Sequence, residues 1–203
     1  MSDLGETTTV RWDSALEAIE RCHELGWTDG LPVAPPTEHR VGQFVESVGR
    51  PASEVVGELP ERRREITIGK VAANAVMAGC LPEHLPVLIA TTEAMLDPVF
   101  NLVGPSSSMG GSAILVIVNG PVVQELNINT RNNLFGPGNR ANMTIGRAVR
   151  LILMNACAAI PACSTARCSA IRASSPIASP RRKPRPIGPH CTWSVALLPA
   201  RAR

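Results

Sequence analysis

Tyrosine is absent from the 203 residues, and three Trp with three Phe bring the aromatic share to only 3%. No apolar run approaches the eighteen or so residues that a membrane span requires. The first thirty residues lack a basic segment followed by an apolar one, so neither a transmembrane nor a secreted class is expected. Six cysteines without an export signal point to reduced thiols in the cytoplasm and not to a disulfide framework. Carboxylates are missing from the whole second part of the chain. All 17 acidic residues and 8 of the 20 basic ones lie in residues 1–125, net −9, and the other 12 basic residues occupy 126–203 without a single acid.

What is present divides the chain again near Pro161. The last 43 residues hold 7 of the 18 prolines, 8 of the 20 basic residues and 3 of the 6 cysteines, with no hydrophobic period. Two origins fit that composition: a disordered basic arm for nucleic acid or an acidic partner, or translation out of frame. Trp193 is the only Phe, Trp or Tyr in this tail, so a nucleic-acid contact there would be salt-sensitive and blind to sequence.

Residues 10–160 carry the signals of a folded domain. Ser14 and Glu17 have capping-box spacing ahead of a helix over about 14–25, which Gly26 can end. The Asp29-Gly30 turn and the prolines from Pro32 to Pro36 exclude helix in the next loop. Thr37 caps a second helix, with Val41, Phe44, Val45 and Val48 on its inner face before Gly49. Ile66 to Ile68 is a short β-branched segment, followed by a helix through Val71, Asn74, Ala75 and Ala78 to Gly79. A further helix occupies Val87 to Leu96, stopped by Asp97-Pro98. Ala113 to Val118 has the length and apolarity of a buried central strand. Ile145, Ala148, Val149, Ile152 and Leu153 mark a last helix over about 142–156, with Arg147 and Arg150 expected outside. An α/β domain with mixed layers of helices around one sheet follows, completed by a disordered basic C-terminal tail.

Three loops carry candidate chemistry. Phe135 to Asn142 enters the last helix, so Gly136, Gly138, Asn139, Arg140 and Asn142 could cradle a carboxylate or phosphate at a helix N-terminus; a glycine turn explains the same letters. A dinucleotide reading of that loop fails, because its fingerprint needs an acid about twenty residues later. Ser106, Ser107 and Ser108 offer hydroxyls to a polar ligand, although the loop precedes a strand where a P-loop would follow one, and a plain surface loop is the competing role. Asp29, in a proline-stiffened loop, is a candidate general base or ligand-orienting carboxylate; an Asx turn is the competing role. Cys80, at a helix C-terminus, is expected to be a buried structural thiol. Cys163, Cys168, His190 and Cys191 have spacings that strain a tetrahedral zinc site, so no metal is expected. His23, His39 and His84 are expected on solvated surface.

Four separated stretches also carry a family resemblance: Trp27 to Thr37, Ala73 to Cys80, Val118 to Pro121 and Phe135 to Arg147. Together, over about residues 10–160, the chain resembles the bacterial UGSC-like (seleno)protein family. The cysteine or selenocysteine motif of the family name is not found in this chain. The resemblance implies that further segments follow the last helix. Read two nucleotides later from Ala162, codons for Ser169 to Ala173 permit Gly-His-Pro-Gly-Lys, and those for Ile187 to Val195 permit Trp-Pro-Pro-Leu-His-Val-Glu-Arg, both of which that pattern implies. A frame change near residues 160–162 is therefore expected to have replaced the C-terminal part.

The expectation from these lines is a site for a small polar or anionic molecule formed by the Asp29, Ser106–Ser108 and Gly136–Asn142 loops. Its leading class is an enzyme; the alternatives are a noncatalytic binding protein using the same pocket and a nucleic-acid binder acting through the tail. The sequence names neither a cofactor nor an oligomeric state.

Overall fold

The computed structural model describes residues 11–107 and 113–159, together with the backbone of residues 177–178 and 196–199. Helix α1 (Ala15–Glu24) starts where Ser14 Oγ accepts the Glu17 N–H at 3.1 Å, while the Glu17 carboxylate accepts the Asp13 N–H at 3.2 Å. The first bond uses a donor that the first helical turn cannot satisfy by itself, and the second ties the residue before the cap to that turn. Helix α2 (Glu38–Val48) is capped by Thr37 and ends at Gly49, whose φ of 64° favours a residue without Cβ.

Strands β1 (Val55–Leu59) and β2 (Arg64–Thr67) form an antiparallel hairpin with an irregular register between Val55 and Gly57. Thr67 then caps helix α3 (Ile68–Ala78), so Ile68 opens a helix and does not extend the strand. A 3₁₀ turn at Pro82–His84 leads into α4 (Leu85–Leu96), which packs on α2, α3 and β1. The short helix α5 (Val103–Ser107), strand β3 (Ile114–Val118) and the short helix α6 (Val122–Glu125) lead to α7 (Arg140–Asn155).

Helices α3 and α7 pack against each other at the centre, and each is buried on most of its circumference. Small side chains make this possible: Ala72, Ala75 and Ala78 on α3 and Ala141 and Ala148 on α7 are all buried, letting two backbones approach closely. Large apolar side chains, including Val71, Leu85, Leu88, Met95, Ile145, Leu151 and Ile152, fill the surrounding core.

The expected mixed α/β class is what the chain adopts, but its strands are divided between two small sheets, not gathered in one. The second sheet has β3 at its centre, parallel to β4 (Ile177–Ala178) and antiparallel to β5 (Ala196–Pro199). Central placement of β3 is as its apolar run predicts. Its burial is not total, because Val116 and Val118 are enclosed while the alternate positions are half-buried. Most of the expected tail, and the frame change at 160–162, lie outside the described residues; the two segments that are described pair with β3.

A polar seam crosses the α3–α7 contact. Asn155 Nδ2 donates to Asn74 Oδ1 at 2.8 Å and to the Trp27 carbonyl at 2.9 Å, and Asn74 Nδ2 donates to the Lys70 carbonyl at 2.8 Å. Asn74 is buried, so each of these groups needs a partner within the protein. Asn155→Ala removes the shared donor and leaves two acceptors unmatched. Its expected cost is about 2 kcal/mol in chemical denaturation at unchanged m-value, and a loss under about 0.5 kcal/mol would mean the seam contributes nothing.

Candidate functional site

Asp29 lies in the loop that joins α1 to α2, and this loop is strapped across α3 and α7. Thr28, buried, accepts the Gly30 N–H at 3.0 Å through Oγ1, which also lies within hydrogen-bond distance of His23 Nδ1 at 3.2 Å. Asp29 Oδ1 accepts the Leu31 N–H at 3.4 Å, an Asx-type turn. Further along, the Ala34 N–H donates to the Met77 carbonyl of α3 at 3.1 Å.

The Asp29 carboxylate is engaged by Arg147 of α7. Nε donates to Oδ2 at 3.1 Å and Nη2 to Oδ1 at 2.9 Å, a two-point pairing. The same Nη2 reaches the carbonyls of Leu31 at 3.1 Å and Pro32 at 2.9 Å. Both side chains are largely shielded, at 21% exposure for Arg147 and 15% for Asp29. Arg147, expected outside, is therefore the fastener of the loop. Burial acts to raise the Asp29 pKa, but the hydrogen bonds and charge of Arg147, helped by backbone N–H groups, outweigh it and hold the carboxyl below its ordinary value. A carboxylate stabilised in its charged form is a weak proton acceptor, which disfavours the general-base role and fits the turn-building one.

Ser106 and Ser107, expected in a loop, end the short helix α5, and they too are occupied. Arg62, from the turn between β1 and β2, donates through Nη2 to Ser106 Oγ at 2.8 Å and Ser107 Oγ at 3.1 Å, and through Nη1 to the Cys157 carbonyl at 3.0 Å. Ser106 is buried and returns its own proton to the Val103 carbonyl. Ser108 lies outside the described residues.

At the other end of α7, Asn139 is the N-cap, accepting the Asn142 N–H through Oδ1 at 2.9 Å and donating to the Asn127 carbonyl at 2.7 Å. Asn142 is buried. It pairs with both backbone groups of Asn129, Oδ1 accepting at 2.8 Å and Nδ2 donating at 3.0 Å. Asn133, in the left-handed region at φ 62°, donates to the Pro137 carbonyl and presses on Gly136, where a Cβ would fall 1.5 Å from Asn133 Oδ1. Gly138 has φ 115° and open space around it, so backbone conformation and not crowding calls for glycine there. Arg140 does not lean into this loop. Its Nε and Nη2 donate to the Gly79 carbonyl at 3.0 and 2.9 Å, closing the C-terminal end of α3.

The described parts of the three segments are spread along α7. Asn142 and Asn155 are thirteen residues apart on α7, about 20 Å along its axis at 1.5 Å per residue. The Arg62–Ser106 cluster sits past the C-terminal end, the Gly136–Asn142 loop at the N-terminal end, and Asp29 between them. No group of three or more His, Cys, Asp or Glu with metal-ligand placement occurs among the described residues. The thiols of Cys80 and Cys157 are buried, and burial pushes their pKa values up to about 12 and about 11, as expected of structural cysteines.

Sequence reasoning missed Arg62, Arg147, Asn74 and Asn155 as organising residues. A signal for Arg147 exists: a guanidinium on a helix with so many apolar positions calls for an acidic partner, and since no acid follows Glu125 that partner has to be distant in sequence. No family model, curated protein or solved structure matches the chain.

Asp29→Ala leaves Arg147 without its carboxylate and is expected to cost about 2–3 kcal/mol, less for Asp29→Asn. A double-mutant cycle with Arg147→Ala should return most of that as coupling. Because the folded carboxyl titrates below its unfolded value, about 3.9, its contribution is complete above pH 4 and disappears as pH falls through the lower folded value. Acid unfolding profiles of wild type and Asp29→Asn should accordingly converge at low pH. Gly136→Ala should destabilise through the clash with Asn133, and Asn133→Gly should rescue it in the double variant, as read by thermal melts.

Proposed function

We propose that this domain binds a small anion at the N-terminal end of α7 and does not act on it chemically. The observation carrying this reading is the opening of α7 itself. In a helix of 16 residues, the Arg140 and Ala141 amides have no intrahelical carbonyl to serve, and they follow a preformed turn whose Gly138 presents no side chain. No carboxylate occurs anywhere from Leu126 onward, so nothing acidic from this loop opposes an incoming anion. Asn139 takes the Asn142 amide, leaving the first two amides for a ligand.

The noncatalytic form is favoured over the enzymatic one because the candidate reactive groups among the described residues are already engaged. Asp29 is held by Arg147, Ser106 and Ser107 by Arg62, and the buried Cys80 and Cys157 thiols remain protonated near neutrality. Two of the four stretches that carry the likeness to UGSC-like proteins, Trp27 to Thr37 and Phe135 to Arg147, fall in the segments that Arg147 and Asn142 organise. No described helix is long and apolar enough to cross a membrane.

Titration of ¹⁵N-labelled protein with inorganic phosphate tests the site. Saturable shifts of the Arg140 and Ala141 amides, with Leu126 to Asn139 following, are the expected result. Shifts that rise linearly everywhere, or that centre on another element, would replace this reading with a different site.

A further inference from the structure

His84 ends the 3₁₀ turn that links α3 to α4, and it is 2% exposed where surface placement was expected. Its Nδ1 accepts the Leu81 N–H at 3.3 Å, so this nitrogen must be unprotonated and the ring neutral. The preceding residues are held from the other side. Arg140 of α7 donates to the Gly79 carbonyl and, at 3.4 Å, to that of Cys80. Segment 79–84 is thus clasped between an imidazole that must stay neutral and a guanidinium that is always charged.

The groups around the ring are few. Glu83, in the same turn, favours a proton on His84, while Arg140 from α7 opposes it. Helix α2 meets the turn through Ser47, whose hydroxyl is shared between the Phe44 carbonyl at 2.7 Å and the Pro82 carbonyl at 3.2 Å, and the first turn of α4 supplies Leu85, Pro86, Val87 and Leu88. Burial is the largest influence and it disfavours the charged ring, so the folded pKa lies below the ordinary value near 6.5.

We propose that His84 is an acid-operated release for this clasp: a proton on Nδ1 removes the acceptor of the Leu81 N–H and places a second cation near Arg140, freeing segment 79–84 from the head of α7. The two consequences act in the same direction, since the lost hydrogen bond loosens the turn and the repulsion loosens the Arg140 strap. Cys80 lies between the two holding points and is 3% exposed while the segment is closed. It therefore reports the opening directly. The sign follows from linkage: the open form binds the proton more readily than the closed one, so opening is favoured as pH falls below the unconstrained histidine value.

The test is site-resolved thiol labelling of the full chain with 4,4′-dithiodipyridine, read by mass spectrometry and normalised at each pH to the rate of a short exposed peptide. Below about pH 6.5, Cys80 labelling should rise by up to about tenfold per pH unit, while the buried Cys22 and Cys157 stay protected. His84→Asn places an amide oxygen within reach of the Leu81 N–H and cannot be protonated, so its Cys80 rate should be flat with pH. Constant Cys80 protection in the wild type down to pH 5, equal acid sensitivity in His84→Asn, or simultaneous exposure of all three thiols would each overturn the proposal.

Discussion

Arg147 donates to one carboxylate and two backbone carbonyls of a single loop, and the placement of the domain's irregular segments turns on this kind of bond. Helix α7 is enclosed on most sides, so each polar side chain it carries has to find its partner in the surrounding protein. Arg140 finds the end of α3, Asn142 the backbone of the preceding loop, Arg147 the Asp29 loop and Asn155 the Asn74 side chain. Apolar packing makes the helix stable where it is; these four side chains determine what surrounds it.

Arg62 performs the same task from outside the helix, tying the β1–β2 turn to Ser106, Ser107 and the Cys157 carbonyl. Residues that looked available for chemistry are thereby part of the scaffold. The exception is the start of α7, where the cap satisfies a third-position amide and leaves the two before it. A binding role suits a place built this way, since amides and a fixed turn can hold a charge but cannot move a proton.

Local signals in the chain reported local structure well. Ser14, Thr37 and Gly49 mark helix ends, and Gly79 closes α3 where it was expected, because caps and left-handed turns depend on a few neighbouring residues. Boundaries were less legible: Ile68 reads as strand by its branched side chain, yet Thr67 caps a helix that begins with it. Strand β1 was missed because Val55 to Leu59 lacks a clean alternation and includes Gly57, which a tight approach of Leu96 requires to be small. The candidate residues were harder still. Asp29, Ser106 and Arg140 were chosen for their functional groups, and the partners that occupy them lie 118, 44 and 61 residues away, a separation no motif can express. His84 was misplaced for a similar reason, since its burial depends on α2 and α4 packing against its turn and not on the turn alone.

The loop before α7 is fastened almost wholly by neutral carboxamides: Asn129, Asn133, Asn139 and Asn142 exchange hydrogen bonds with one another's backbone and with Asn127 and Pro137. Such fastenings do not titrate and are barely screened by dissolved electrolyte. The loop can therefore keep one shape from dilute buffer to brine, so that any ionic-strength response at this end of the molecule would belong to the visitor and not to the host.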